Sequence, residues 1–227
     1  MKSSDFREGM KRAFPLVIGV IPFGLAYGIS ASSAGLRLHE TVFMSMAVFA
    51  GASQFVAVEM MRQQSLVVFI LAMTFIINLR HILMALSLKS YVRQNERLKA
   101  SLLSFGLVDE SYAVSSLYFR EKKEGRWSFL FSASLLMYIG WAFSSSAGFL
   151  LGDRIADPLA WGLDFAMPAT FIGILIPQIQ SLHICIVVFV AGASAVLFKV
   201  LLGGSYYIII AAVAGAMTGY LLERRIP

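Results

Sequence analysis

Ionisable side chains in this sequence sit where a charge is hardest to keep, inside long apolar runs. Asn78, Arg80 and His81 lie within FIINLRHILMALSL, Asp109, Glu110 and Tyr112 within ASLLSFGLVDESYAVSSLYF, and Asp164 just ahead of FAMPATF. At the centre of a helix in hydrocarbon an Asp, Lys or Arg costs about 2.5–3.5 kcal/mol, so such groups face a partner or a wet cavity. On a helix Asn78 and His81 are three apart and share a face, with Arg80 turned away from both. Asp109 and Tyr112 share another face, continued by Ser116. A guanidinium and a carboxylate that meet at depth relieve each other's desolvation. A desolvated carboxyl also has its pKa raised toward neutrality, which lets it take up and release a proton. Blander chemistry is open too: an interhelical clamp with a snorkelling Arg80, or solvated acids on an amphipathic helix that does not span.

A second set of residues predicts irregular backbone. Pro168 lacks an N–H and opposes the carbonyl one turn earlier, that of Asp164, so a free carbonyl would stand beside a carboxylate. Gly51, Ser53 and Gln54 form the matching candidate in FAGASQF. Gly24, Gly28, Gly51, and Gly192 with Ala195, offer small-residue faces for close helix packing, beyond what the chain needs internally. Ser53 and Ser194, each in a Gly-x-Ser setting, could with His81 make an intramembrane serine protease, provided nucleophile and base come within hydrogen-bond reach. No GxxxxGK[ST] phosphate loop occurs, so ATP-driven chemistry is not expected. The single cysteine, Cys185, permits no intrachain disulfide and no CxxC site, and no cofactor or metal centre is expected.

The elements that must position these residues are membrane spans. Of 227 residues, 58% are hydrophobic and 14% are Asp, Glu, Lys or Arg, and the mean hydropathy is +0.76. A soluble domain carries about 25% charged residues, so this composition excludes an ordinary cytosolic enzyme, a disordered chain and a disulfide scaffold. Runs near 20 apolar residues fall at 13–35, 41–61, 65–88, 100–119, 128–151, 159–177, 182–202 and 205–222, without the alternation of a barrel strand. The expectation is an all-α polytopic membrane protein with seven or eight crossings, one transmembrane domain over 1–227. The first run is too long for a signal-peptide core and reads as a retained span.

The net charge of +6 reads as loop bias in a bilayer, not as a nucleic-acid surface. Basic residues gather at the N-terminus (Lys2, Arg7, Lys11, Arg12), in 89–99 (Lys89, Arg93, Arg97, Lys99) and in 120–126 (Arg120, Lys122, Lys123, Arg126). The last two patches flank 100–119, so a full crossing there would put one of them outside. All lie inside, with the N-terminus cytoplasmic, only if 41–61 and 100–119 both fail to cross, as broken or re-entrant helices do. A faint repeat relates YGISASSAG at 27–35 to GWAFSSSAG at 140–148, and FAGASQF at 49–55 to FAMPATF at 165–171. It suggests halves 13–119 and 128–222 with a site where they meet.

PFGLAYG (22–28), FAGASQF (49–55), INLRH (77–81), VDESYA (108–113) and LDFAMPATF (163–171) occur in that order. Together they resemble the AzlC family of bacterial branched-chain amino-acid permeases, from about Phe14 to the end of the chain. The resemblance implies export of branched-chain and related neutral amino acids across the cytoplasmic membrane, proton-driven, with a small hydrophobic partner subunit of the AzlD type. Seen with that substrate, an amino acid's carboxylate would compete for Arg80 and its ammonium for Asp109 or Asp164. A channel or scaffold subunit, and the protease above, are the other readings.

Overall fold

The computed structural model describes residues 3–91, 101, 103–123, 127–154, 172, 175–176, 179–202 and 206–223. Their helices are α1 (Ser3–Ser33), α2 (Leu38–Ala47), α3 (Gly51–Arg62), α4 (Val67–Asn78), α5 (Arg80–Leu88), α6 (Asp109–Lys122), α7 (Trp127–Asp153), α8 (Leu182–Leu202) and α9 (Tyr206–Glu223). No strand occurs among the described residues, and the chain is all-α as its patterning predicts. Ser4–Ser33, Val67–Tyr91, Trp127–Asp153 and Leu182–Leu202 are long and apolar enough to cross a bilayer, and Tyr207–Glu223 is a shorter apolar helix. Most of the expected segment 159–177, with Asp164 and Pro168, lies outside the described residues.

α1 and α7 form the frame. They run in the same direction, because Gly9 approaches Phe129 and Ser132, Gly140 approaches Val17, Gly28 approaches Ser145 and Gly148, and Gly152 approaches Ile29. At the tightest point a Cβ on Gly28 would fall on the carbonyl oxygen of Ser145, and one on Gly148 on that of Leu25. Backbones this close require glycine. The small-residue faces expected to serve a partner are therefore spent internally: Gly24 and Gly28 on Ser144 and Ser145, and Gly51 on Trp141. Gly192 alone of that group has open space around it among the described residues. The similar stretches 27–35 and 140–148 are thus neighbours at one helix crossing.

Two expected spans are broken. α2 and α3 divide 41–61 at 48–50, where Phe49 takes a left-handed φ of 43°. Gln54 Nε2 reaches across the break to Ser45 Oγ at 3.3 Å, closer than a continuous helix would bring residues nine apart, so α3 does not continue the line of α2. The segment 100–119 is interrupted by a 3₁₀ turn at Ser104–Gly106 and an extended Leu107–Val108 before α6 starts at Asp109. The Val108 N–H donates to Ser111 Oγ at 2.9 Å, and that hydroxyl donates to the Gly106 carbonyl at 2.7 Å. One serine therefore ties the residue before the helix to the turn ahead of it.

These breaks bring the described basic residues of the patches to one end. α5 and α6 run the same way, with Arg80 beside Asp109, Ser87 beside Tyr112, and Tyr91 beside Phe119. Both lead to the end of the molecule where α1 begins, since the Arg12 guanidinium holds Glu121 by two hydrogen bonds of 2.9 and 3.0 Å. Lys89 and the run from Arg120 to Lys123 accordingly share one end with Arg7, Lys11 and Arg12.

Candidate functional site

The two breaks open on one cavity of about 550 Å³. It is lined by Arg80, Asp109, Glu110 and Tyr112, by Ala50, Gly51 and Ala52 at the start of α3, and by apolar residues such as Val20, Phe55, Met84 and Trp141. Arg80 is placed by Leu79, a one-residue interruption between α4 and α5. Asp109 and Glu110 are placed by the start of α6, which follows the extended Leu107–Val108. Arg80 Nη1 donates to Asp109 Oδ2 at 2.6 Å, with the two side chains 32% and 51% exposed. This is the meeting of guanidinium and carboxylate expected from the sequence, with one difference. Asp109 is the first residue of its helix and not the middle of a span, so it reaches the cavity from a helix N-terminus, whose positive end favours an acid.

The pair leaves hydrogen-bonding capacity unspent. Arg80 Nε and Asn78 Oδ1 are buried without a partner among the described residues. At the facing break no side chain caps α3, and helix geometry leaves the amides of Gly51, Ala52 and Ser53 without intrahelical acceptors. An uncapped N-terminus of this kind accepts an anionic oxygen.

The other expected residues are sorted by the fold. Tyr112 faces the cavity and its hydroxyl accepts from Ser87 Oγ at 2.8 Å. Ser53 and Gln54 are buried behind the wall, not on it. Ser53 Oγ donates to the Ala50 carbonyl at 3.0 Å. Gln54 Oε1 accepts from the Ala50 N–H at 3.3 Å and from Trp141 Nε1 at 3.0 Å. These bonds hold the break open and fix the indole as the cavity floor. His81 turns its ring to the Asn78 carbonyl, with Nδ1 2.9 Å from that oxygen, and is not among the lining residues. Ser53, its hydroxyl committed and buried, is poorly placed as a nucleophile. Phe49, Met137 and Trp141, which the sequence does not mark, line the cavity.

Long apolar helices framing a charged internal cavity, into which the broken segments lead, define a polytopic helical membrane protein. Residues 15–155 match the family described as AzlC protein, and the chain belongs to that family. It is similar to an uncharacterized membrane protein of Archaeoglobus fulgidus, 32% identical over 95% of this chain and 94% of that protein. The inner membrane protein YgaZ of Escherichia coli is 31% identical over 85% of this chain and 81% of its own. The branched-chain amino acid transport protein AzlC of Bacillus subtilis is 28% identical over 94% and 84%. No solved structure matches the chain.

Proposed function

We propose that this protein is a secondary-active transporter that exports neutral amino acids with apolar side chains (valine, leucine, isoleucine and methionine) in exchange for protons. The observation that carries this is the composition of the cavity, which combines a cation, two carboxylates and an uncapped helix start with apolar side chains. That pattern suits a zwitterion with a hydrocarbon tail. The substrate carboxylate takes Arg80 and the amides at the start of α3, its ammonium takes Asp109 and Glu110, and its side chain rests on Phe55, Met84 and Trp141. One set of ion pairs replaces another, so charge is conserved as substrate enters. Protonation and the ammonium group are alternatives at the Asp109 carboxylate, which couples the two by exclusion.

The name of the Bacillus subtilis relative supports branched-chain substrates, and that of the Escherichia coli relative supports the inner membrane. The basic end faces the cytoplasm with the N-terminus, by the positive-inside rule. Asp164 is proposed as a further carboxylate of the site, and an AzlD-like subunit as the partner, seated on the open face around Gly192. The faint repeat is proposed as a duplication in which α1 and α7 are equivalent. Flux of a panel of labelled neutral amino acids into proteoliposomes, with and without the small subunit, tests the proposal. Saturable flux that responds to a pH gradient and is fastest with the subunit is expected. Absence of flux for every amino acid with the subunit present overturns it, and unsaturable flux makes the protein a channel.

A further inference from the structure

A second cavity, of about 210 Å³, lies against the first on the side of α7 and is walled by Phe49, Phe105, Phe131, Leu135 and Tyr138, with Ser134 among them. Phe49 belongs to both walls. Its backbone is strained, with φ 43° in the left-handed region that a bulky residue rarely adopts. The ring is 4% exposed. It lies edge-on to Tyr138 at 4.9 Å and tilted to Phe105 at 6.4 Å, while the Tyr138 hydroxyl donates to the Met46 carbonyl at 3.1 Å. These contacts pin the strained residue at the end of α2. Ser134 is 7% exposed, and its Oγ has no hydrogen-bond partner among the described residues. A buried hydroxyl without a partner in an aromatic cleft is costly unless a ligand or water supplies one.

We propose that this second cavity is a further chamber of the same passage, that it takes a neutral amino acid by its apolar side chain, and that Phe49 is the partition the substrate must displace. The proposal rests on the transport reading of the first cavity. The occupant follows from continuity: the two spaces share one residue as wall, the first space presents the charged groups, and the second presents aromatic surface. Strain supplies the means. While Phe49 rests on Tyr138 and Phe105 those contacts offset its backbone conformation. When an alkyl group takes the place of the ring, φ is free to leave the left-handed region and the partition swings with it.

Two single-cysteine reporters test this in the full chain carrying Cys185→Ser, in liposomes of phosphatidylethanolamine and phosphatidylglycerol. Ala52→Cys reports on the first cavity and Ser134→Cys on the second, each by its rate of modification with a charged methanethiosulfonate. Leucine is expected to slow modification at both reporters at least tenfold, and glycine, which lacks a side chain, to slow it only at Ala52→Cys. Phe49→Gly, and Phe49→Asn, which tolerates the left-handed conformation but lacks the ring, are each expected to speed modification of Ser134→Cys about tenfold without substrate. Leucine shielding Ala52→Cys alone overturns the second chamber and leaves the transport reading intact; shielding of neither overturns both. Unchanged Ser134→Cys rates in the two Phe49 variants overturn the partition. Ser134→Cys that reacts in detergent but not in liposomes, whatever the amino acid, marks the space as a lipid site and also overturns the proposal.

Discussion

Arg80 and Asp109 are both part exposed, so their bond is weaker than a buried pair's and can be exchanged. A pair sealed from water would be too costly to open once per cycle. The Asp109 carboxylate also stands at the start of α6, where the helix dipole keeps it stable when Arg80 leaves. Asp109→Asn is therefore expected to abolish accumulation driven by a pH gradient while amino-acid exchange at equal pH on both sides continues, measured as counterflow. Arg80→Ala should lose both activities. In a double-mutant cycle on thermal stability, Arg80→Ala and Asp109→Asn together should be less damaging than the sum of the single changes, by about 0.5–3 kcal/mol. Strict additivity would mean the 2.6 Å contact has no energetic content.

Among the elements, the α1–α7 crossing gives the sharpest expectation. Gly28→Ala drives a Cβ into the Ser145 carbonyl, a backbone group that has nowhere to go, whereas a Cβ on Gly19 meets nothing within 4 Å. The first change should destabilise by about 1–3 kcal/mol or more; Gly19→Ala should be neutral or stabilising by up to about 1 kcal/mol. Thermal unfolding in detergent separates them. The hydrogen bond from Arg12, with its charge, holds the exposed Glu121 carboxyl below its ordinary range. A lowered folded pKa means that this tie between α1 and α6 stabilises above the unfolded carboxyl value, about 4.3, and is lost as pH falls through the folded one. The gap in Tm between wild type and Glu121→Gln should be present at pH 6 and close toward pH 3.

What could be read at this scale without coordinates was whatever carried a penalty. Charges in apolar runs marked Arg80 and Asp109, and the clash between basic patches marked 41–61 and 100–119 as segments that do not simply cross. The start of α6 was hidden because SLLSFGLV is as apolar as a span, and hydropathy does not register a turn. The cavity walls were hidden for a related reason: Phe55, Met137 and Trp141 have the spacing and chemistry of ordinary helix packing. Ser53 and Gln54 were noticed for polarity that proves to be spent on shaping the break.

For the whole molecule, the fold builds its cavity out of unequal parts. α1 and α7 are locked together by glycine, and the Phe49 and Asp109 breaks both open on the cavity. α8 packs on α9 at Ala191 and Gly215 and shows no buried residue among those described, which leaves its other sides to lipid or to the proposed partner. The central claim is that the cavity recognises an amino acid by both of its charged groups and by its tail. Binding of tritiated leucine to the purified protein, competed by isopentylamine, which lacks the carboxylate, and by 4-methylpentanoate, which lacks the amine, tests this directly. Saturable leucine binding is expected, which valine and isoleucine displace, neither one-ended analogue displaces at tenfold excess, and Arg80→Ala removes. Displacement by either analogue as strong as by leucine itself, or full binding in Arg80→Ala, would contradict the claim.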